Sequence, residues 1–221
     1  MYHVHTGDAI KIIDRIDPNC IQLVFTSPNP PMSLQDRMSL FNVLVKCKRV
    51  LTDNGTIFLQ LGDYYDNNGS MMGLPEAMLT MLKTQFLIRS KLVWHRTEHY
   101  KQLDRNRFRI DCEYLYMFTK SKDHYFNDKL GLQDTSLIHA QVENIKPKEF
   151  KSGFPEALVD IAVKTTTKPG DFVLDPYAGT CTTGVVALKN KRHFIGIESR
   201  EDTKDDIKKR LDKFDFCACE V

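Results

Sequence analysis

Short apolar segments alternating with amphipathic ones run along most of this chain, and that alternation narrows its fold more than any other feature. The apolar segments read as strands: "YHVHT" (2–6), "IQLVFT" (21–26), "TIFLQL" (56–61), "SKLVWH" (90–95), "EYLYMFT" (113–119), "DFVLD" (171–175) and "HFIGIE" (193–198). Between most of them, apolar side chains recur at helical spacing. "DRMSLFNVLVKCKRVL" sets Met38, Phe41, Leu44, Val45 and Leu51 on one side of a helix, and "LPEAMLTMLKTQF" does the same with Met78, Leu82 and Phe86. "FPEALVDIAVKTT" offers Pro155 for a first helical turn and aligns Leu158, Ile161, Ala162 and Thr165. Gly55 and Gly170 fall where a helix should stop before the next strand. Strands taken in turn with helices predict an α/β domain, a mostly parallel sheet covered on both faces.

At 221 residues the chain is long enough for a sizeable core, and one domain spanning 1–221 is expected. The region from about 96 to 152 is the least regular, with one convincing strand, and reads as an insertion. A content of 42% hydrophobic and 27% charged residues excludes a disordered chain and a membrane-embedded one. No stretch approaches the roughly 18 consecutive apolar residues of a membrane span. "MYHVHTGDAI" lacks the regions of a secretory signal, so an intracellular location is expected. The cysteines are scattered except for Cys217 and Cys219, a C-x-C without a partner pair. Free thiols, and no metal, are the expectation.

Two corners carry the chemistry. "LVFTSPNPPM" drops a buried strand abruptly into Ser27, Pro28, Asn29, Pro30 and Pro31. Proline locks φ and restrains the residue before it, so such a turn holds polar groups at fixed angles. The second corner lies in "FVLDPYAGTCTTGVVALKNKRHFIGIE", where a strand ends in Asp175, turns through Gly179, enters a helix and leads to a strand closing on Glu198. In an open α/β sheet this is half of a nucleotide site. Small residues admit backbone approach, and the terminal carboxylate accepts from ribose hydroxyls.

In these segments the chain resembles the beta-group amino methyltransferases of DNA, which methylate the exocyclic nitrogen of adenine or cytosine with S-adenosyl-L-methionine. "DPYAGTCTTGVVAL" is similar to their cofactor motif and "TSPNPPM" to their catalytic motif. The likeness extends to "HTGDAIKII", "EYLYMFTKS" and "SGFPEALVDIAV", in order along nearly the whole chain. It implies a Rossmann-like methyltransferase sheet with circularly permuted motif order, the catalytic corner first, and a small inserted target-recognition region. Both corners should then open into one crevice at the switch point of the sheet. A role in restriction-modification follows by the same likeness.

The resemblance assigns residues. An exocyclic amine is a poor nucleophile because its lone pair is delocalised, and acceptors aimed at its N–H groups favour the tetrahedral geometry of attack. Two registers place such acceptors. In one, Ser27 leads the motif; in the other, preferred on geometry, Asn29 leads, with contacts from Asn29 and the carbonyl of Pro30, followed by Pro31. Met32 stands where the family has an aromatic; it covers the base with its sulfur or is an ordinary core side chain. Asp8 should approach the cofactor's adenine and Glu198 its ribose. Asp175, Tyr177, Ala178, Gly179 and Thr180 would surround the methionine part, with Phe154 and Pro155. Thr182 and Thr183 either bond there or cap the helix. Cys181 replaces a customary glycine, so it should crowd or line the pocket, at some strain if φ is positive. Asp63 points at the crevice or is merely solvated.

DNA would enter over "HRTEHYKQLDRNRFR", where Arg96, Lys101, Arg105, Arg107 and Arg109 face Glu98 and Asp104. The target base should be flipped out or single-stranded. In the resembling family "TSP" leans to cytosine N4 and "NPP" to adenine N6, which implies a slight preference for cytosine. A catalytically silent relative that binds nucleic acid or a partner is the alternative, and a nicotinamide oxidoreductase is disfavoured by "SPNPP". Whether two chains pair as a homodimer is open.

Overall fold

The computed structural model describes residues 1–96, 106–130, 135–141 and 154–214. Its strands are β1 (Tyr2–Thr6), β2 (Ile21–Thr26), β3 (Leu51–Leu61), β4 (Leu87–Arg96), β5 (Cys112–Thr119), β6 (Leu137–Ala140), β7 (Phe172–Asp175) and β8 (His193–Glu198). The helices are α1 (Ala9–Ile13), α2 (Leu34–Val50), α3 (Leu74–Leu82), α4 (Glu156–Thr166), α5 (Thr182–Lys189) and α6 (Lys204–Leu211). All eight strands join one sheet in the order β1-β8-β7-β2-β3-β5-β4-β6. Every pairing is parallel except those of β5, which runs against β3 and β4.

The central strands explain the sequence pattern. Every residue of β2 is buried, because helices cover both sides, and a strand so placed reads as a continuous apolar run. On one face Leu23, Phe25 and Val173 pack with α4, α5 and α6; on the other Val24, Ile57 and Leu174 pack with α1, α2 and α3. Helix α2 starts at a capping box in which Ser33 and Asp36 each accept from the other's backbone N–H. Such a cap is worth about 1 kcal/mol.

Several expectations change. Helix α2 buries Leu40, Val43, Leu44, Cys47 and Val50, whereas Met38 is exposed. The apolar stripe is thus rotated from the one expected, with Leu44 common to both. Gly55 stops no helix: β3 follows α2 directly, and its pairing with β2 jumps from Ile21↔Leu51 to Leu23↔Thr56, so 52–55 bulge out of the ladder. The segment from about 96 to 152 contributes not only the expected strand, β5, but also β6 to the sheet. Among the described residues no helix is long and apolar enough to cross a membrane. Cys217 and Cys219 lie outside the described residues.

Candidate active site

Parallel pairing places Leu23 beside Val173 and Val24 beside Leu174, so β2 and β7 leave the sheet side by side. The order of strands reverses at this pair: β3 lies outward of β2, and β8 then β1 outward of β7. A crevice must open where connections diverge in opposite directions. A cleft of about 510 Å³ does so, lined by Ser27, Pro28, Asn29 and Pro30 on one side and Pro176, Tyr177, Ala178, Gly179 and Thr180 on the other. The proline corner and the glycine corner share one pocket.

The nucleotide-like half is built from strand ends. Glu198, closing β8, accepts from Gly179 N at 2.9 Å through one carboxylate oxygen and from Arg200 N at 2.9 Å through the other. Both oxygens are held by rigid backbone and keep lone pairs for a ligand's hydroxyls. Gly7 (φ 139°) and Gly179 (φ 51°) line the cleft in conformations that a side chain would strain, so backbone faces the ligand at both corners. Asp8 caps α1, accepting from Ile10 N at 2.8 Å, and lines the cleft with Phe154. This cradle of open backbone and pre-aimed carboxylates fits an adenosyl group.

Other expected contacts lie below the floor. Asp175 is wholly buried, and accepts from the Thr183 hydroxyl at 2.6 Å and from Tyr177 N at 3.1 Å. Burial pushes its carboxyl up to about 6 against the pull of those bonds. Thr182, Thr183 and Pro155 are buried and do not line the cleft. Asp175, Thr182, Thr183 and Pro155 thus lie beneath the glycine turn and the start of α4 rather than on the cleft wall. Cys181 takes the strained φ of 60° ahead of α5, yet its side chain packs in the core with Val185 and Phe194. It neither crowds nor lines the pocket.

The target side is organised by a chain of polar groups across four neighbouring strands. The Ser27 hydroxyl donates to Gln60 Oε1, Gln60 Nε2 donates to Glu113, and the Glu113 carboxylate pairs with Arg96. Burial pushes the Glu113 carboxyl up, while Arg96 and Gln60 pull it down. A carboxylate can only accept, so it fixes the Gln60 amide, and the amide oxygen in turn fixes Ser27 as donor. The Ser27 oxygen then presents its lone pairs to the cleft. Gly62 makes room for this: a Cβ there would lie 3.0 Å from the carboxyl carbon of Glu113. Gln60 and Glu113 escaped sequence reasoning. Their signal was a polar residue at buried positions inside "TIFLQL" and "EYLYMFT".

Asn29, by contrast, is exposed along the cleft. The Pro30 carbonyl already accepts from Met32 N at 2.9 Å across Pro31, which is buried. Met32 is 42% exposed and does not line the cleft; Tyr64, Trp94, Phe154 and Tyr177 are the aromatics that do. Asp63 accepts from Gly73 N and Leu74 N, both at 3.1 Å, and so caps α3. Arg96, expected at the DNA face, lines the cleft and pairs with Glu113. Arg107 stacks on Tyr65, 3.7 Å from the ring centre, and Arg109 lies 3.6 Å from Asp111. Lys101 and Arg105 lie outside the described residues.

Comparison with known proteins agrees with this geometry. The pattern of the N6/N4 DNA methylase family matches residues 37–209. The type II methyltransferase M.Cfr9I of Citrobacter freundii is 26% identical, over 93% of this chain and 86% of its own. Among solved structures, the cytosine-N4-specific PvuII DNA methyltransferase superposes with a TM-score of 0.81 at 15% identity, covering 96% of this chain and 93% of that one. A Thermus thermophilus protein solved with S-adenosyl-L-methionine gives 0.78 at 21%, covering 96% and 95%. With its permuted strand order, its paired corners and a match over most of its length, the chain belongs to the N6/N4 DNA methylase family.

Proposed function

We propose that this protein transfers a methyl group from S-adenosyl-L-methionine to the exocyclic amine of a base in DNA, with cytosine N4 preferred over adenine N6. The observation that carries the reading is the Ser27 oxygen, held as an acceptor in the same cleft as the Glu198 and Gly179 cradle. Glu198 would hold ribose hydroxyls, Asp8 the adenine edge, and Tyr177 to Thr180 the remaining chain. When bound, the cofactor supplies an electrophilic sulfonium methyl. Ser27 accepts one N–H of the target amine and favours the pyramidal nitrogen from which attack proceeds. A nitrogen–carbon bond forms as the carbon–sulfur bond breaks, and the amine then loses one proton.

That proton goes to water. Gln60 interrupts any shuttle, because an amide passes protons poorly, so the Ser27–Gln60–Glu113–Arg96 chain orients rather than conducts. Tyr64 and Trp94 supply the aromatic surface beside the base that Met32 does not. Preference for cytosine rests on Ser27 rather than Asn29 as the wired acceptor, which favours the register led by "TSP".

The test is to incubate the protein with mixed-sequence DNA and isotopically labelled S-adenosyl-L-methionine, then digest to nucleosides for mass analysis. Labelled N4-methylcytosine is expected. N6-methyladenine would move the target, and binding of S-adenosylhomocysteine without transfer to any DNA would favour a silent relative.

A further inference from the structure

Phe108 is 95% exposed, the most exposed large apolar side chain among the described residues. Burying such a ring against a ligand is favourable, and what distinguishes this one is the support beneath it and the charges around it. The loop that carries it is held at several points. The Phe108 carbonyl accepts from the Tyr65 hydroxyl at 3.2 Å, and Arg107 donates to Gly69 O at 3.1 Å with its guanidinium carbon 3.7 Å from the centre of the Tyr65 ring. Arg96 N donates to Asp111 O at 2.8 Å, tying the loop to the end of β4. The ring is therefore presented on a fixed support.

Its position and neighbours say what would cover it. Tyr65, whose hydroxyl bonds to the Phe108 carbonyl, directly follows Tyr64 of the cleft lining, which ties the Phe108 loop to the segment that leaves the cleft. Arg107 and Arg109 flank it in sequence, with Lys101 and Arg105 shortly before. An apolar patch for a protein would be ringed by further apolar groups, whereas one aromatic among arginines suits a phosphate backbone with stacked bases inside.

We infer that Phe108 is a wedge that enters the base stack of duplex DNA beside the target nucleotide, while the arginines around it hold the backbone. The inference rests on DNA being the substrate. An extruded base leaves a gap and an unstacked step, and an inserted ring restores stacking on one side of it. Tyr65 with Arg107 on its face forms the base of the wedge.

The test compares wild type with Phe108→Ala and Phe108→Trp on a methylatable duplex, and on the same duplex with a mismatch at the target, where the cost of unstacking is already met. Phe108→Ala should lose about 10- to 100-fold in kcat/KM on the matched duplex and much less on the mismatched one, with Phe108→Trp close to wild type. S-adenosylhomocysteine affinity should be unchanged. Equal losses on both duplexes, or none on the matched one, would overturn the wedge. Permanganate reactivity of thymines in bound mixed-sequence duplex gives a readout independent of turnover: wild type should raise it and Phe108→Ala should not. A wild type that transfers no methyl yet unstacks DNA through Phe108 would refute the methylation reading alone. No unstacking by wild type would refute the wedge.

Discussion

The hydroxyl of Ser27 donates to the side-chain oxygen of Gln60, and that direction is imposed from two strands away by the Glu113 carboxylate. If the catalytic worth of Ser27 lies in the lone pairs this leaves free, Glu113 and Ser27 act as one unit. Ser27→Ala should lower kcat by about 100-fold, the scale of losing one preorganised hydrogen-bonding group. Glu113→Gln should lower it by about 10-fold or more, because a neutral amide can donate as well as accept and no longer fixes Gln60. The double variant should be no slower than Ser27→Ala alone, since residues that act together are non-additive. Single-turnover rates at saturating cofactor decide this, and losses that multiply would dismiss the coupling.

Glu198 is fixed by Gly179 N and Arg200 N before any ligand arrives. Bonds from neutral donors to a charged acceptor are each worth about 1.5–3 kcal/mol. Glu198→Ala should therefore weaken S-adenosylhomocysteine binding by about 10- to 100-fold in calorimetry, and leave kcat at saturation near that of wild type. Unchanged affinity would remove the carboxylate from the cofactor site.

Much of this was legible in the residues. The strands at 2–6, 21–26, 113–119 and 193–198 formed close to where expected, and the wholly buried parallel strand β2 announces itself as an unbroken apolar run. Both corners could be read because proline and glycine restrict or permit backbone conformations regardless of context. Strand β6 could not: "LIHA" is too short and too mixed for any pattern, and it exists through its pairing with β4. Nor could the depth of a residue within a corner. Asp175 and Glu198 each end a strand, yet Asp175 turns under the floor to Thr183 while Glu198 turns into the cleft. Sequence spacing brings chemistry to an address; packing decides which side of the floor it occupies.

Helix α5 rests on β8 through Gly184, where a Cβ would meet the Phe194 ring at 2.6 Å and Leu211 at 3.0 Å. Phe194 is wholly buried and cannot swing away. Gly184→Ala should cost about 1–3 kcal/mol despite the better helix propensity of alanine, because overpacking outweighs the ~1 kcal/mol propensity gain. Because α5 begins directly after the glycine turn, cofactor affinity should fall as well. Urea denaturation measures the first effect, and a variant at least as stable as wild type would show that the helix can lift without penalty.

Asp175 gives the fold an unusual pH response. Its carboxyl titrates near 3.8 in the unfolded chain and is pushed up to about 6 in the fold by burial. Between those values the native state binds the extra proton, so stability from this group is full below about 4 and declines as pH rises through 6. A gap of that size corresponds to about 3 kcal/mol. Asp175→Asn keeps an oxygen for Tyr177 N and a partner for the Thr183 hydroxyl but cannot ionise. The stability of the variant relative to wild type should therefore climb from pH 4 to pH 6 and level off above it. Subtracting the two unfolding curves cancels every other carboxylate, so a difference that stays flat across that range would mean that Asp175 titrates as an ordinary exposed acid.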